Sequence, residues 1–266
     1  MRHGKAGVKD LPVPIYVISL ERDSGRRSVL ESRFSGSWNQ FQVVWAVDAQ
    51  ECGMDLELLP ERFPRNPMTC AEKACALSHL KVYRLFLQSG SSSCIILEDD
   101  VEGLDSALAE AISVARSLPE GGMALLGGLQ GLRNVRYVYG SPQRIAGVPA
   151  WRIPRICRRF ISRACCYAIT PDVARLLIAH QEKILHRADH WHELARDIKD
   201  LFCLDLFRHP EDFSFSRIEP GRLVLKQRST IRRILADGIF YTTTTAVLKL
   251  FLMLFSRWLG MTRVKI

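Results

Sequence analysis

The sequence has no C-x-x-C pair, and no histidine pair sits at zinc-finger spacing to its eight cysteines, Cys52, Cys70, Cys75, Cys94, Cys157, Cys165, Cys166 and Cys203. That excludes a zinc-finger framework. Several of these cysteines lie in apolar runs, where the thiol behaves as a small hydrophobe. A reducing compartment is the expectation. No adequate apolar stretch precedes Glu21-Arg22-Asp23, so no secretory signal is read and a cytoplasmic location is expected. Repeats of fixed period and low-complexity linkers are also missing, which removes solenoids and tethered arrays. Hydrophobic residues at 47% and charged residues at 24% exclude a disordered chain, a collagen-like chain and a coiled-coil rod. At 266 residues the chain can bury a core without disulfides or a structural metal.

Acids are scarce at one end only. From Arg217 onward there are ten basic residues against two acids, Glu219 and Asp237, a net +8. Residues 1–216 hold 27 basic and 26 acidic residues, a net +1. A neutral body with one basic end argues against a nucleic-acid-binding core and for a tail that meets an anionic surface.

Short apolar runs alternate with polar helical stretches. Strands are predicted over Val13–Ser19, Phe41–Val47, Cys94–Leu97, Met123–Leu126 and Cys165–Ile169. Helices are predicted over Glu21–Phe34, Cys70 to about Gln88, Leu104–Ser117 and Pro171 to about His180, with a capping box at Thr69 and Glu72. Residues 48–68 read as a loop broken by Cys52-Gly53, Pro60, Pro64 and Pro67. Residues 127–158 read as a binding loop or hairpin insert. The pattern predicts an α/β fold with a mainly parallel sheet: one domain over 11–216, followed by a basic, apolar segment over 217–266.

The acids of Glu98-Asp99-Asp100 directly follow the buried run Cys94–Leu97. In an open parallel sheet, ligands bind beyond the carboxyl ends of the strands. Three adjacent carboxylates repel one another, and a cation relieves the cost. Mg²⁺ or Mn²⁺ suits such oxygens, usually with phosphate completing the shell. A solvated acidic turn is the competing reading. A phosphoacceptor signalling domain also places acids at a strand end, but no matching Asp and Lys follow at later strand ends.

Five segments in order carry a resemblance. They are Val17-Ile-Ser-Leu20 with Arg26-Arg27 beyond it, Ala46-Val-Asp48, Thr69-x-x-Glu72 leading to Cys75-Ala-Leu-Ser-His79, Ile95-Ile-Leu-Glu-Asp-Asp100, and Cys166-Tyr-Ala-Ile-Thr170. Together, over roughly residues 13–190, they resemble glycosyltransferase family 25, which includes bacterial lipooligosaccharide galactosyltransferases and collagen galactosyltransferases. Two positions depart from the family pattern: Ala74 stands where Gly is usual, and Ser162-Arg163 where Gly-Thr is common.

The resemblance implies a GT-A-like fold and transfer of a hexose, galactose foremost, from a UDP-sugar to a lipooligosaccharide or related glycan acceptor, with inversion. It implies Mn²⁺ (or Mg²⁺) with Asp100 as metal ligand, and Glu98 and Asp99 contacting sugar, ribose or metal-bound water. Ser19, Leu20, Arg27 (or Arg26), Asp48, Ser78 and His79 become nucleotide-sugar residues. Asp48 can equally be a loop cap, His79 a hydrogen-bonded structural histidine, and the arginines solvated helix charges. Asp189 is the candidate base and Glu193 its rival. No accompanying Cys or acidic pattern makes a zinc site of His186, His190 and His192. A catalytically inactive relative acting as a membrane-associated binding or scaffold protein is the alternative function.

The stretch Gly238–Phe255 is eighteen residues with one charge, Lys249. Its four threonines and Lys249 make insertion across a bilayer marginal. The expectation is a helix lying on the anionic inner face of the cytoplasmic membrane, with a helix packed on the domain as the rival.

Overall fold

The computed structural model describes residues 11–57, 68–132, 134–210 and 238–265. Strand β1 (Ile15–Ser19) is buried at all five positions, as an apolar run without alternation requires when both faces of a sheet are covered. Helix α1 (Ser24–Arg33), strand β2 (Phe41–Trp45) and helix α2 (Ala49–Glu57) follow. Helix α2 occupies part of the segment expected to be a loop. Gly53 does not break it, because an interior glycine costs only about 1 kcal/mol relative to Ala. At its start, Gln50 N–H donates to Asp48 Oδ1 at 2.8 Å. Pro60, Pro64 and Pro67 lie outside the described residues.

Helix α3 (Cys70–Ser89) starts at the expected capping box. Glu72 N–H donates to Thr69 Oγ1 at 3.0 Å, and Thr69 N–H to the Glu72 carboxylate at 2.9 Å. It ends at Gly90, in the left-handed region at φ 70°. Strand β3 (Cys94–Glu98), helix α4 (Asp105–Arg116) and strand β4 (Gly122–Gly127) match their predicted places. The long segment after β4 contains the hairpin β5 (Tyr139–Ile145) and β6 (Val148–Arg152). Strand β7 (Cys166–Ile169), helix α5 (Pro171–Lys183) and the one-turn helix α6 (Trp191–Leu194) come next. Strand β8 (Asp200–Phe207) was not among the expected strands. Helix α7 (Gly238–Phe255) and the short β9 (Thr262–Arg263) complete the order.

Among the described residues, one sheet holds all nine strands, in the order β2-β1-β3-β7-β4-β8-β6-β5-β9. The α/β class stands, but the sheet is mixed rather than mainly parallel. The ladders β1–β2, β1–β3 and β4–β8 are parallel. Strand β7 runs antiparallel between β3 and β4, and the hairpin joins β8 antiparallel. A hairpin needs only a tight turn, whereas each parallel pair needs a crossover.

Alternate strand residues feed two apolar layers. Tyr16, Ile18, Ile96, Met123, Leu125 and Tyr167 pack with Leu80, Tyr83 and Phe86 of α3 and Val173 and Leu177 of α5. Ile15, Val17, Ile95, Leu97, Ala124 and Ala168 pack on the other face with Leu30 of α1 and Leu108, Ala111 and Val114 of α4. Helices on both faces leave the strand ends as the place where polar groups can gather.

Behind the end of β3, Gly128 has φ 77°, and a Cβ there would stand 2.2 Å from Cys165 Sγ. The Cys165 carbonyl accepts from Glu98 N–H at 2.8 Å. Gly128→Ala therefore combines a left-handed non-glycine residue with overpacking. Urea denaturation should show a loss of roughly 2–5 kcal/mol; an unchanged midpoint would refute this account of the turn.

The expected boundary at residues 216 and 217 falls outside the described residues. Beyond it, α7 and β9 return to the sheet. Leu252, Met261 and Val264 join the first apolar layer, β9 pairs with β5, and Trp151 Nε1–H donates to Thr262 Oγ1 at 3.1 Å. Among the described residues, no helix is long and apolar enough to cross a membrane.

Candidate functional site

The ends of β1, β2 and β3 open into a cavity of about 410 Å³. One face of α3, residues 163–164, residues 187–189 and His209 close its sides. Ser19, Leu20, Asp48, Ser78, His79, Glu98, Asp99, Asp100 and Asp189, spread over 170 positions of sequence, all line it.

Asp99 is almost fully buried. It accepts from Ser19 Oγ–H at 2.7 Å and pairs with Arg26 Nη1 at 2.8 Å. The other Arg26 nitrogen, Nη2, pairs with Asp100 Oδ2 at 2.9 Å, and His209 Nε2 stands 3.9 Å from that oxygen. Asp100 Oδ1 is buried with no hydrogen-bond partner among the described residues. Burial raises the Asp99 carboxyl to about 6 against the pull of Arg26 and Ser19. Asp100 is raised by burial and then by the Glu98 charge. Glu98 goes the other way: burial raises it, but the His79 hydrogen bond and the charges of His79, His209 and Arg26 bring it below its ordinary range.

Arg26, not Arg27, reaches the triplet. Arg27 lies behind the wall: it donates to Ser19 Oγ at 3.1 Å and to Glu21 O at 2.8 Å, and lies over the Trp45 ring at 4.8 Å. It holds the end of β1 and the serine that supports Asp99. Asp48 both lines the cavity and is committed elsewhere, with Oδ1 capping α2 and Oδ2 paired with Arg22. Ser78 spans two elements, donating to Ala74 O at 2.7 Å and accepting from Val47 N–H at 2.9 Å. His79 is fully buried between the Tyr167 hydroxyl, 2.6 Å from Nδ1, and Glu98 Oε1, 3.2 Å from Nε2.

Asp189 is half-buried, and its Oδ2 accepts from Arg163 N–H at 3.2 Å. Arg163 sits in the left-handed region at φ 73°, held there by guanidinium hydrogen bonds to Gly128 O at 2.8 Å and Gln130 O at 2.7 Å. Its carbonyl accepts from Trp191 Nε1–H at 2.8 Å. Arg163 thus shapes the loop that faces Asp189. Arg187 pairs with buried Glu72 at 2.8 Å and ties the segment carrying Asp189 to α3. Glu193 lies in α6, outside the cavity wall.

Arg22, Glu72, Arg187 and His209 line the cavity without having been read from the sequence. Glu72 was visible as a cap, but its second partner is 115 positions away. His209 follows β8, a strand that was not expected.

Residues 13–121 match the description of glycosyltransferase family 25 (LPS biosynthesis protein). A glycosyltransferase 25 family member of Drosophila pseudoobscura pseudoobscura is 31% identical over 118 residues, 40% of this chain and 19% of that protein. One of Anopheles gambiae is 29% identical over 96 residues, 33% of this chain and 16% of that protein. The aligned stretch spans under a fifth of the length of these relatives. The crystal structure of mannose-1-phosphate geranyltransferase from Thermus thermophilus superposes with a TM-score of 0.43 at 13% identity over 75% of each chain.

Proposed function

We propose, on the match of residues 13–121 to glycosyltransferase family 25, that the chain transfers a hexose, galactose foremost, from a UDP-sugar to a lipooligosaccharide or related glycan hydroxyl, with inversion. The observation that carries this reading is the triplet Glu98–Asp100 at the end of β3, sharing one cavity wall with Asp189. The lone buried oxygen of Asp100 fits a hard divalent cation, Mn²⁺ or Mg²⁺. Asp100 would hold it, with Asp99 beside it. Such an ion, when bound, offsets negative charge on a diphosphate.

The chain's own residues do the rest. Arg26 puts positive charge beside the carboxylates, where a leaving diphosphate gathers charge, and the His209 ring stands 3.9 Å from Asp100 Oδ2. Ser19, Leu20 and Ser78 form the wall on which a nucleotide packs. Asp189 removes the proton of the acceptor hydroxyl as its oxygen bonds to the sugar's anomeric carbon and the bond from that carbon to the UDP oxygen breaks. UDP release from a series of UDP-sugars, with and without Mn²⁺, tests the reading. Release with none of them would leave the alternative of a catalytically inactive relative acting as a membrane-associated binding or scaffold protein.

We further propose that α7 lies on an anionic membrane surface. Leu252 is fully buried against the domain, and Lys249 Nζ stands 4.5 Å above the Tyr137 ring. The other edge shows Leu250, Met253, Leu254 and Trp258, the last two 65% and 85% exposed, with Arg257 among them. A charge near such a surface contributes about 1 kcal/mol, and apolar burial adds a salt-resistant part. Because α7 and β9 also complete the fold, the test is a surface change rather than a truncation. The double variant Leu254→Glu, Trp258→Glu should keep its melting temperature and lose most co-sedimentation with anionic vesicles. Undiminished binding would refute the surface.

A further inference from the structure

One corner of the cavity holds three donors of unlike chemistry that sugar transfer does not need as a set. Cys75 Sγ, a ring nitrogen of His79 and a carboxylate oxygen of Glu98 lie within 4.8 Å of one another. All three residues line the cavity. Cys75 and His79 are four positions apart on α3 and share a face, while Glu98 arrives from the end of β3. We propose that Cys75, His79 and Glu98 form a site for a thiophilic divalent cation, Zn²⁺ foremost, separate from the oxygen site at Asp100.

The donor set decides the ion. Thiolate, imidazole and carboxylate suit Zn²⁺, whereas Mg²⁺ and Mn²⁺ prefer oxygen alone. The spacing agrees: His79 Nε2 and Glu98 Oε1 are 3.2 Å apart, and two donors about 2.1 Å from a tetrahedral ion stand about 3.4 Å apart. Cys75 Sγ lies within 4.8 Å of the other two donors, on a half-buried helix side chain outside the strand ladders.

The surroundings of His79 are those of a ligating histidine. Its ring stacks on Tyr167 at 5.7 Å between centroids, and its Nδ1 is 2.6 Å from the Tyr167 hydroxyl. That hydroxyl is in turn 2.9 Å from the Tyr83 hydroxyl. The two tyrosines fix the ring so that Nε2 points at Glu98, the outer-shell support that metal-bound imidazoles characteristically have. On binding, the Cys75 thiol proton and the His79 Nε2 proton that bonds Glu98 leave to solvent, and the neutral ring keeps its one proton on Nδ1, donating to Tyr167. Three protein donors leave a fourth position open to the cavity. An ion there holds Glu98 against α3 and withdraws it from any ligand at the triplet.

Co²⁺ reports this site without reference to activity, because a thiolate ligand gives a charge-transfer band in the near ultraviolet and tetrahedral coordination gives strong visible bands. The full chain should take up a single equivalent of Co²⁺ with both features, and Zn²⁺ should displace it while excess Mg²⁺ should not. Cys75→Ser should lose the thiolate band and lower Zn²⁺ affinity at least about 100-fold, the upper end of what losing an outer-shell partner costs. Cys52→Ser and Cys70→Ser should keep the band, and so should Asp100→Ala, which separates this site from the oxygen site. Glu98→Gln should weaken Co²⁺ uptake while leaving the thiolate band in place. A band that survives Cys75→Ser, or no band in the unaltered chain, overturns the proposal.

Discussion

Asp100→Ala should lower sugar transfer by roughly 10³-fold, about 4 kcal/mol of transition-state stabilisation, while the chain stays folded. The size follows from what Asp100 faces. Its Oδ1 is buried in the cavity wall with no partner among the described residues, and its Oδ2 is shared with Arg26 and His209. Removing the carboxylate removes an oxygen donor for a divalent ion and leaves Arg26 paired with Asp99 at 2.8 Å. Folding should not suffer. The folded site holds the Asp100 carboxyl above its ordinary range, so its ionised form is disfavoured there by burial and by Glu98. Losing that charge removes a cost at neutral pH. Three measurements on one preparation separate the cases: UDP release, Mn²⁺ titration and thermal melting. Near-normal turnover by the folded variant, or full activity of the parent chain in EDTA, would remove the metal from the reading.

Much of this site was legible because its parts sit at the ends of apolar runs. Ser19, Asp48 and Glu98–Asp100 each lie at or just beyond the end of a strand that reads clearly as a short block of β-branched and apolar residues, and the ends of β1, β2 and β3 do converge. Ser78 and His79 were found through the motif on α3, whose start was fixed by a local cap. What escaped depends on distance along the chain. Nothing local says that Arg26 rather than Arg27 turns inward, since the two are neighbours on one helix and only the position of Asp99 and Asp100 decides. Arg187 finds Glu72 across 115 positions. Strand direction was similarly hidden: Cys166–Ile169 reads as a buried strand, but an apolar run carries no sign of its polarity, and β7 enters antiparallel between β3 and β4. Helix α2 was missed because Gly53 was given the weight of a breaker. Its cost is about 1 kcal/mol, which the rest of a nine-residue helix can offset.

Asp189→Asn should reduce kcat by roughly 10²–10⁴-fold with UDP affinity nearly unchanged, the signature of a lost general base. The cavity wall offers six acids: Asp48, Glu72, Glu98, Asp99, Asp100 and Asp189. Asp48 is paired with Arg22, Glu72 with Arg187, and Asp99 and Asp100 with Arg26, while Glu98 is bound to His79. Among the described residues Asp189 carries no ion pair, and its carboxylate's one hydrogen bond is from a backbone N–H, that of Arg163, which leaves the other carboxylate oxygen for an acceptor hydroxyl. Asparagine keeps the shape and can still accept from Arg163 N–H, so the loop held by Arg163, Trp191 and Arg187 should stay in place. Only the ability to take a proton is removed. Glu193, the rival acid for this role, stands outside the wall, so Glu193→Gln should leave kcat within about twofold, as a change away from the reacting atoms does. Steady-state kinetics with a fixed UDP-sugar, together with a UDP binding isotherm, resolve kcat from affinity. An unchanged kcat in Asp189→Asn would pass the role to another acid, and a matching loss of UDP affinity would make Asp189 part of the nucleotide wall instead.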